Sequence, residues 1–473
     1  MDFENFRAAV EARRSFILDA ERHLWRTPEP GFREWKTHAY LKAQFESLGL
    51  VPREFDRIPA SIARKSSANG KDRVFGEIPG FFVDFDTGRP GPRLAIFGEM
   101  DSLIVPSHPE CDKETGAVHS CGHHAQGAAL LGVATALASP GALNGLSGSI
   151  RLIAVPAEEF IELGFRKELR AKGVVKYLSG KQELIYRGLL DDVDLAFMVH
   201  TSVTKRAMIA NAGSDGFIST EHVFLGKAAH AGGAPQNGLN ALYAANLAIN
   251  AANALRETFV DAEHIRFHPI ITNGGAVANS IPDHVVVESC VRASTVDGAI
   301  RVNKRINRAF AGAAAAMGCR LEVHDLCGYL PRFNSPEINQ VFHDVAAGVF
   351  GEENLDFGDG WGTGCSDMGD VSALMPAAHP YVGGATGTEH GSNYAIVDPG
   401  LACVTCAAIQ AAAAAKLLGN DASLARGITA AYKPVFASPA EYLAAIDGIE
   451  FNGEVVEYGE KGGITIREAS RNG

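Results

Sequence analysis

The stretch His119-Ser120-Cys121-Gly122-His123-His124 puts a thiol and an imidazole one residue apart, just ahead of a small-residue run that reads as a helix from Ala125. At such a loop-to-helix junction both side chains can turn toward one metal ion. A helix N-terminus favours anions and so helps hold a thiol as the metal-binding thiolate. Further ligand-type residues close other apolar runs: Asp101 after Arg93–Phe97, Glu158 and Glu159 after Ser149–Val155, His200 after Leu195–Val199, and much later His390. Singly, each has a plainer reading as a solvated strand end, a loop cap or a polar turn. Collected at the strand ends of one sheet, they make the thiolate, imidazole and carboxylate set of Zn²⁺ or a neighbouring divalent transition metal. There are too many for one catalytic zinc, whereas two ions sharing a bridging ligand would use them economically. Adjacent glutamates can divide the work, one facing the metal and the other the attacking water.

The elements that must position these residues follow from periodicity and punctuation. Residues 3–48 read as two amphipathic helices broken at Thr27-Pro28-Glu29-Pro30-Gly31, followed by turns and short strands to about Gly91. Buried strands then alternate with helices up to His200, apart from a charged, mainly helical excursion over 160–192. Polar residues at strand C-termini mark an α/β sheet whose active edge collects those ends. From Gly213 to Leu326 the order becomes β-α-β-β-α-β, the ferredoxin-like pattern of an independent inserted unit. A helix over Pro336–Phe350 and another over Leu401–Leu418 return to the first texture. The expected organisation is a catalytic domain in two parts, 1–212 and 327–430, an insert at 213–326, and a C-terminal tail at 431–473.

Composition excludes more than it identifies. The 473 residues are 46% hydrophobic and 21% charged, an ordinary globular mixture long enough for two domains. A formal net charge of -12 argues against general nucleic-acid binding and against an anionic membrane surface. The eight cysteines lack the dense spacing of a disulfide scaffold, and Cys403-x-x-Cys406 reads as helix core. The charged N-terminus shows no secretory pattern, and Leu401–Ala415 reads as too short to span a bilayer, so a cytoplasmic location is expected. No GxSxG, HExxH or GxxxxGK[ST] motif occurs, and the glycines at 358, 360, 362 and 364 open no helix after a strand.

Motifs along about four-fifths of the chain resemble the M20 metallopeptidase and amidohydrolase family, in the branch of aminoacylase-like, auxin-conjugate and aminobenzoyl-glutamate hydrolases. They include Trp25-Arg26-Thr27-Pro28-Glu29-Pro30-Gly31-Phe32, Gly98-Glu99-Met100-Asp101, His119-Ser120-Cys121-Gly122-His123 and Pro156-Ala157-Glu158-Glu159. Gly226-Lys227-Ala228-Ala229-His230-Ala231, Gly274 to Asp283, and Ser366-Asp367-Met368-Gly369-Asp370-Val371-Ser372 continue the match, the last closest to aminobenzoyl-glutamate hydrolase subunits.

The resemblance implies a zinc-peptidase-like α/β catalytic domain with the insert as lid and dimerisation domain. It implies two divalent ions per subunit (Zn or Mn, with Co or Ni as alternatives) on Cys121, His123, Glu159, His200 and His390, Cys121 bridging. Glu158 would be the general base in a two-metal attack of water on a small-molecule amide, grouped with Asp101 and His230 as catalytic. His230 would reach the substrate carbonyl, from the partner subunit in a homodimer. Asn279 and Arg292 would line the substrate side, Arg292 pairing with a carboxylate or remaining a strand-face charge. Two departures stand out. His124 replaces the usual Asp or Asn and is a further candidate ligand. The excursion is longer than usual, and its Arg166, Lys167, Arg170, Lys172 and Lys176 either shape an acidic-substrate entrance or line a solvated helix. The expected activity is hydrolysis of an N-acyl amino acid or aminobenzoyl-glutamate-like amide. The rivals are a dipeptidase or carboxypeptidase, a hydrolytic deaminase, and a decayed binding protein, which the intact ligand set disfavours.

Overall fold

The computed structural model describes residues 3–58, 73–459 and 463–469. Part of the run of turns and strands expected before Gly91 lies outside them. The chain divides into two compact units: 1–213 with 333–361 and 370–439, and 214–332 with 362–369 and 440–473.

The first unit opens with three helices, α1 (Phe3–Glu11), α2 (Arg14–Trp25) and α3 (Trp35–Ser47), where periodicity gave two. The extra break falls at Ala12–Arg13, where Arg13 leaves helical geometry (ψ 16°). Strands β1 (Phe81–Asp86), β2 (Arg93–Glu99), β3 (Ser149–Val155) and β4 (Leu195–Phe197) form the sheet, in the order β1-β3-β2-β4. β2 runs parallel to both β3 and β4, with Glu99 opposite Val155 and Ile96 opposite Phe197. The residues following all three strands therefore emerge at one edge, where open α/β sheets bind their ligands.

Helix α4 (His123–Leu137) lies between β2 and β3 in the chain, and every one of its residues is buried. It begins two residues earlier than its small-residue run suggests, so His123 and His124 occupy its first turn. Helices α5 (Leu163–Ala171) and α6 (Gly180–Arg187) make up the excursion, and β5 (His200–Thr201) follows β4. The excursion is not a solvated helix. Arg166, Lys181, Gln182, Glu183 and Arg187 are all buried, while Lys172 stays in solvent. The backbone explains this: Arg166 donates to the carbonyls of Ala157, Glu159 and Leu178, tying the excursion to the turn that follows β3.

The second unit contains β6 (Gly216–Leu225), α7 (Ala241–Ala254), β7 (Arg266–Asn273), β8 (His284–Ala293), α8 (Val296–Ala316) and β9 (Arg320–Tyr329), the β-α-β-β-α-β succession. β8 alternates buried and less buried residues along its length, the period-two pattern of a sheet with one covered face. Asn240 and Thr295 cap α7 and α8, their side chains accepting from the N–H groups of Tyr243 and Gly298.

After this unit the chain supplies α9 (Pro336–Phe350), β10 (Ala377–Ala378), β11 (Tyr381–Val382) and α10 (Cys406–Ala431) to the first. β10 extends the sheet parallel to β4, and β11 pairs in parallel with β5, with His200 opposite Tyr381. The segment Gly400–Ala431 is long and apolar enough to cross a membrane, which corrects the short span expected from Leu401–Ala415. Yet 83% of its most apolar window is buried, so it is a core helix. Cys403 and Cys406 are buried within it. Its backbone breaks at Gly419–Ala422, directly after the Leu418 at which the apolar pattern ends.

The C-terminal segment reads from sequence as a Pro- and Gly-containing tail with strand-like pieces of no assigned role. Its strands β12 (Phe451–Tyr458) and β13 (Ile464–Ile466) lengthen the second sheet to six, in the order β7-β8-β6-β9-β12-β13. Val455 and Val456 are buried there.

Candidate metal centre

Three local features bend the backbone so that the strand-end residues can meet. Beyond β3, Ala157 adopts a left-handed conformation (φ 56°), which costs an L-residue about 1 kcal/mol or more. Its N–H donates to Glu34 Oε1 (2.8 Å) and its carbonyl accepts from Gly180 (3.0 Å), so both neighbours hold the turn. Glu158 and Glu159 leave this turn toward different histidines. Glu158 Oε2 lies 4.0 Å from His123 Nε2, and Glu159 Oε1 lies 3.5 Å from His390 Nε2. His390 is itself left-handed (φ 63°), its N–H tied to Ser120 O at 2.9 Å. Between Cys121 and His123, Gly122 (φ 92°) approaches so closely that a Cβ would collide with Thr201 Oγ1 and Tyr394 OH.

Six of the expected residues thereby converge in the first unit. Cys121, His123 and His200 form one group of donor atoms; Cys121, Glu159 and His390 form a second; Glu99, His123 and Glu158 form a third. Within each group all donors lie within 4.8 Å of one another, and Cys121 belongs to the first two. Cys121 Sγ is 3.4 Å from His200 Nε2. Two donors held 2.0–2.3 Å from one ion at near-tetrahedral angles lie roughly 3.3–3.6 Å apart, which fits this pair and the Glu159–His390 pair. Among the described residues, buried His123 Nε2 and Glu159 Oε1 have no hydrogen-bond partner, as expected of atoms that would face a cation. The donor set therefore fits two divalent ions.

Electrostatics point the same way. Burial, reinforced by Glu159 and Glu158, pushes the Cys121 thiol well above its ordinary range, and His123 offsets this only in part. This burial opposes the help that a helix N-terminus gives a thiolate, and a bound cation would favour the thiolate form. Burial and then His123 push His200 down, keeping it neutral and free to ligate. Burial would lower His123 too, but Glu99, Cys121 and Asp101 outweigh it and raise the imidazole well above its usual value. Glu159 is raised by burial, His390 and His123 opposing.

Asp101 lies behind the ligands. Its backbone O and Oδ1 lie 2.9 and 3.2 Å from His123 Nδ1, and its Oδ2 accepts from the Glu159 N–H at 2.8 Å. One side chain thus orients two ligands and leaves Nε2 as the nitrogen His123 presents. His124 belongs to none of the three groups. It is buried with Nε2 3.4 Å from Glu21 Oε1, its ring 4.8 Å from Trp25 and 5.3 Å from His119.

The other three expected residues lie in the second unit. His230 Nδ1 accepts from the N–H groups of Gly232 and Gly233 (3.2 and 2.9 Å), so its exposed ring is fixed in a defined tautomer with Nε2 outward of that turn. Asn279 is beside it, its carbonyl accepting from Ala231 N–H at 2.9 Å. Arg292 stands apart on β8 and donates Nη1 to Thr363 O at 2.8 Å, so one of its nitrogens is already engaged.

Sequence reasoning missed Glu99, Gln126, Lys181 and Glu34, and named Arg166 only as an entrance or solvated-helix charge. Glu99 was visible beside Asp101 and carried a usable signal, being a carboxylate inside an apolar strand. Lys181 and Arg166 carried none, because a charge in a charged run reads as solvated.

Comparison with known proteins agrees with this geometry. The profile described as Peptidase family M20/M25/M40 matches residues 95–416. An indole-3-acetyl-aspartic acid hydrolase of Enterobacter agglomerans is 31% identical over 59% of this chain and 62% of its own length. A Xaa-Arg dipeptidase of Homo sapiens is 28% identical over 79% of this chain and 78% of its own. Among solved structures, a dinuclear metal binding peptidase of the M20 family from Bacillus subtilis superposes with a TM-score of 0.62. It has 19% identity and covers 86% of this chain and 99% of that one.

Proposed function

The chain belongs to peptidase family M20/M25/M40 and is a hydrolase of amide bonds, and on that premise we propose a metal-dependent amidohydrolase acting on an N-acyl amino acid or aminobenzoyl-glutamate-like small molecule. The observation that carries this reading is the pair of donor groups sharing Cys121, with Glu158 adjacent to them. Cys121, His123 and His200 would hold one ion; Cys121, Glu159 and His390 would hold the other. Thiolate ligation leans toward zinc, and manganese is the alternative. Bound there, divalent cations would polarise the scissile carbonyl and stabilise the charge that develops on its oxygen.

The protein's own residues do the proton work. Glu158 Oε2 takes a proton from the attacking water and returns it to the leaving nitrogen, the double duty of a general base. Asp101 holds the His123 ring and the Glu159 backbone in place throughout. His230, with its nitrogen fixed by the Gly232–Gly233 turn, donates a hydrogen bond to the substrate carbonyl, and Asn279 and Arg292 supply the recognition of the acyl or carboxylate end. We assign the second unit the role of lid and dimerisation surface, with His230 acting across the dimer.

Glu158→Gln should lower kcat by 10²–10⁴-fold, the usual contribution of a general base, with two ions still bound. The check is product release by mass spectrometry alongside metal content, over a panel of N-acyl amino acids, aminobenzoyl-glutamate and dipeptides. Full activity in this variant would overturn the reading. A dipeptidase is the second reading, favoured by the longer match to the Xaa-Arg dipeptidase than to the conjugate hydrolase. Cleavage of dipeptides alone would establish it.

A further inference from the structure

Among Arg166, Lys167, Arg170, Lys172 and Lys176, only Arg166 is buried, at 1% exposure. Removing a guanidinium from water is costly unless its N–H groups find acceptors. Here the acceptors are backbone carbonyls. Nη1 donates to Leu178 O at 2.6 Å and reaches Ala157 O at 3.4 Å, while Nη2 donates to Glu159 O. Two of these carbonyls flank Glu158 in the chain, and one planar fork engages both.

The remaining polar atoms of the two flanking residues are held as well. Ala157 N–H donates to Glu34 Oε1 at 2.8 Å, and Glu34 is fully buried. Glu159 N–H donates to Asp101 Oδ2 at 2.8 Å. Gly180 N–H and Ile161 N–H add a bond each, to Ala157 O (3.0 Å) and Glu159 O (2.9 Å). The backbone on either side of Glu158 is thus fixed, although Ala157 sits in the left-handed region. Room for the guanidinium is built into the sequence at Gly31. A Cβ there would collide with Arg166 Nη2 and lie 2.9 Å from Ala157 Cα. The Phe32 ring is 5.5 Å from the guanidinium, and Arg33 pairs with Glu162 (3.0 Å), one residue before α5.

Resting on Glu158 as general base, we infer that Arg166 is a positioning residue for the hydrolysis. It acts through the backbone of Ala157 and Glu159, setting the direction in which the Glu158 carboxylate leaves the turn. Misplacing a catalytic group by about 1 Å costs on the order of 10²-fold in rate. The excursion thereby contributes a brace for the general base.

The test is a double-mutant cycle on the full-length, metal-loaded protein, with the N-acyl amino acid or dipeptide that the wild type cleaves. Arg166→Met should lower kcat by about 10–100-fold, leave KM unchanged, and retain two ions and the wild-type circular dichroism. Arg166→Lys keeps the buried charge without the fork and should lose about fivefold or more in kcat. In a Glu158→Gln background the carboxylate to be aimed is gone, so Arg166→Met should lower kcat by less than about twofold. A merely structural arginine would give the same fold loss in both backgrounds, and that result would overturn the inference. Loss of a bound ion in Arg166→Met would overturn it as well, assigning the arginine to metal retention. So would wild-type kcat in both Arg166 variants, with Glu158→Gln impaired and the general-base reading intact. Should Arg166→Met lose its circular dichroism, Arg166→Lys takes its place in the cycle and is judged by the same outcomes. Full activity of Glu158→Gln would instead overturn the general-base reading, and the inference with it.

Discussion

His123 uses its two ring nitrogens for separate tasks, and the division is set from outside the ring. Asp101 engages Nδ1 through both its backbone and its side chain, which leaves Nε2 for the ion. Asp101→Ala should therefore weaken metal binding by about 10–100-fold, the usual effect of removing a ligand's orienting partner. His124→Asn should change it by less than twofold, because His124 packs on Glu21 and Trp25 and not on the ions. Competition with a chromogenic chelator measures both. Cys121, His123, Glu158, Glu159, His200 and His390 were legible because polar residues ending apolar runs are rare and these recur. Lys181 was not, since its meaning is a contact with Glu99, 82 positions away.

At the scale of elements, the strands carried the strongest signal. β2, β3, β8 and α9 stand close to where their patterns put them, because each buries a continuous or periodic face. Ends and breaks were harder to read. The start of α4 depends on the left-handed Gly122, and the depth of the excursion depends on the backbone carbonyls that Arg166 reaches.

One element also predicts a pH response. On β6, His222 is fully buried, hydrogen-bonded to Asn307 Oδ1 (2.8 Å) and stacked on Phe310. Burial pushes it from 6.5 down to about 4. As pH falls, the unfolded chain takes up this proton first. The stability His222 contributes is thus complete above pH 6.5 and is lost as the pH approaches 4. The loss amounts to about 3 kcal/mol at most. Urea titrations at pH 7 and pH 4.5 should show His222→Gln losing correspondingly less stability between the two pH values than the wild type.

The whole molecule raises the question of assembly. The second unit holds His230 and Asn279 in a shared backbone bridge, Ala231 N–H to Asn279 O, and it carries two strands contributed by the C-terminal segment. The β-α-β-β-α-β succession from β6 to β9 made the four-strand arrangement readable. The place of the C-terminal strands was hidden because β12 returns from more than 100 residues away to pair with β9, and β13 pairs with β12. If His230 acts across a dimer, sedimentation at assay concentration should give twice the 50.1 kDa chain mass. His230→Ala mixed with Glu158→Gln should then recover part of the activity that each has lost. A fully active monomer would end the proposal.

The order in which the first unit's core is made has a consequence for its birth on the ribosome. α4 is buried on every side, and one of the elements that cover it, α10, begins only at Cys406. At about 5–20 residues per second, roughly 15–50 s of translation separate the two. Throughout that interval a helix made for the interior has one flank bare, followed at last by a segment greasy enough for lipid. Such a nascent chain is a natural client for holding chaperones. Soluble yield in a host should follow growth temperature and chaperone supply more closely than the metal in the medium.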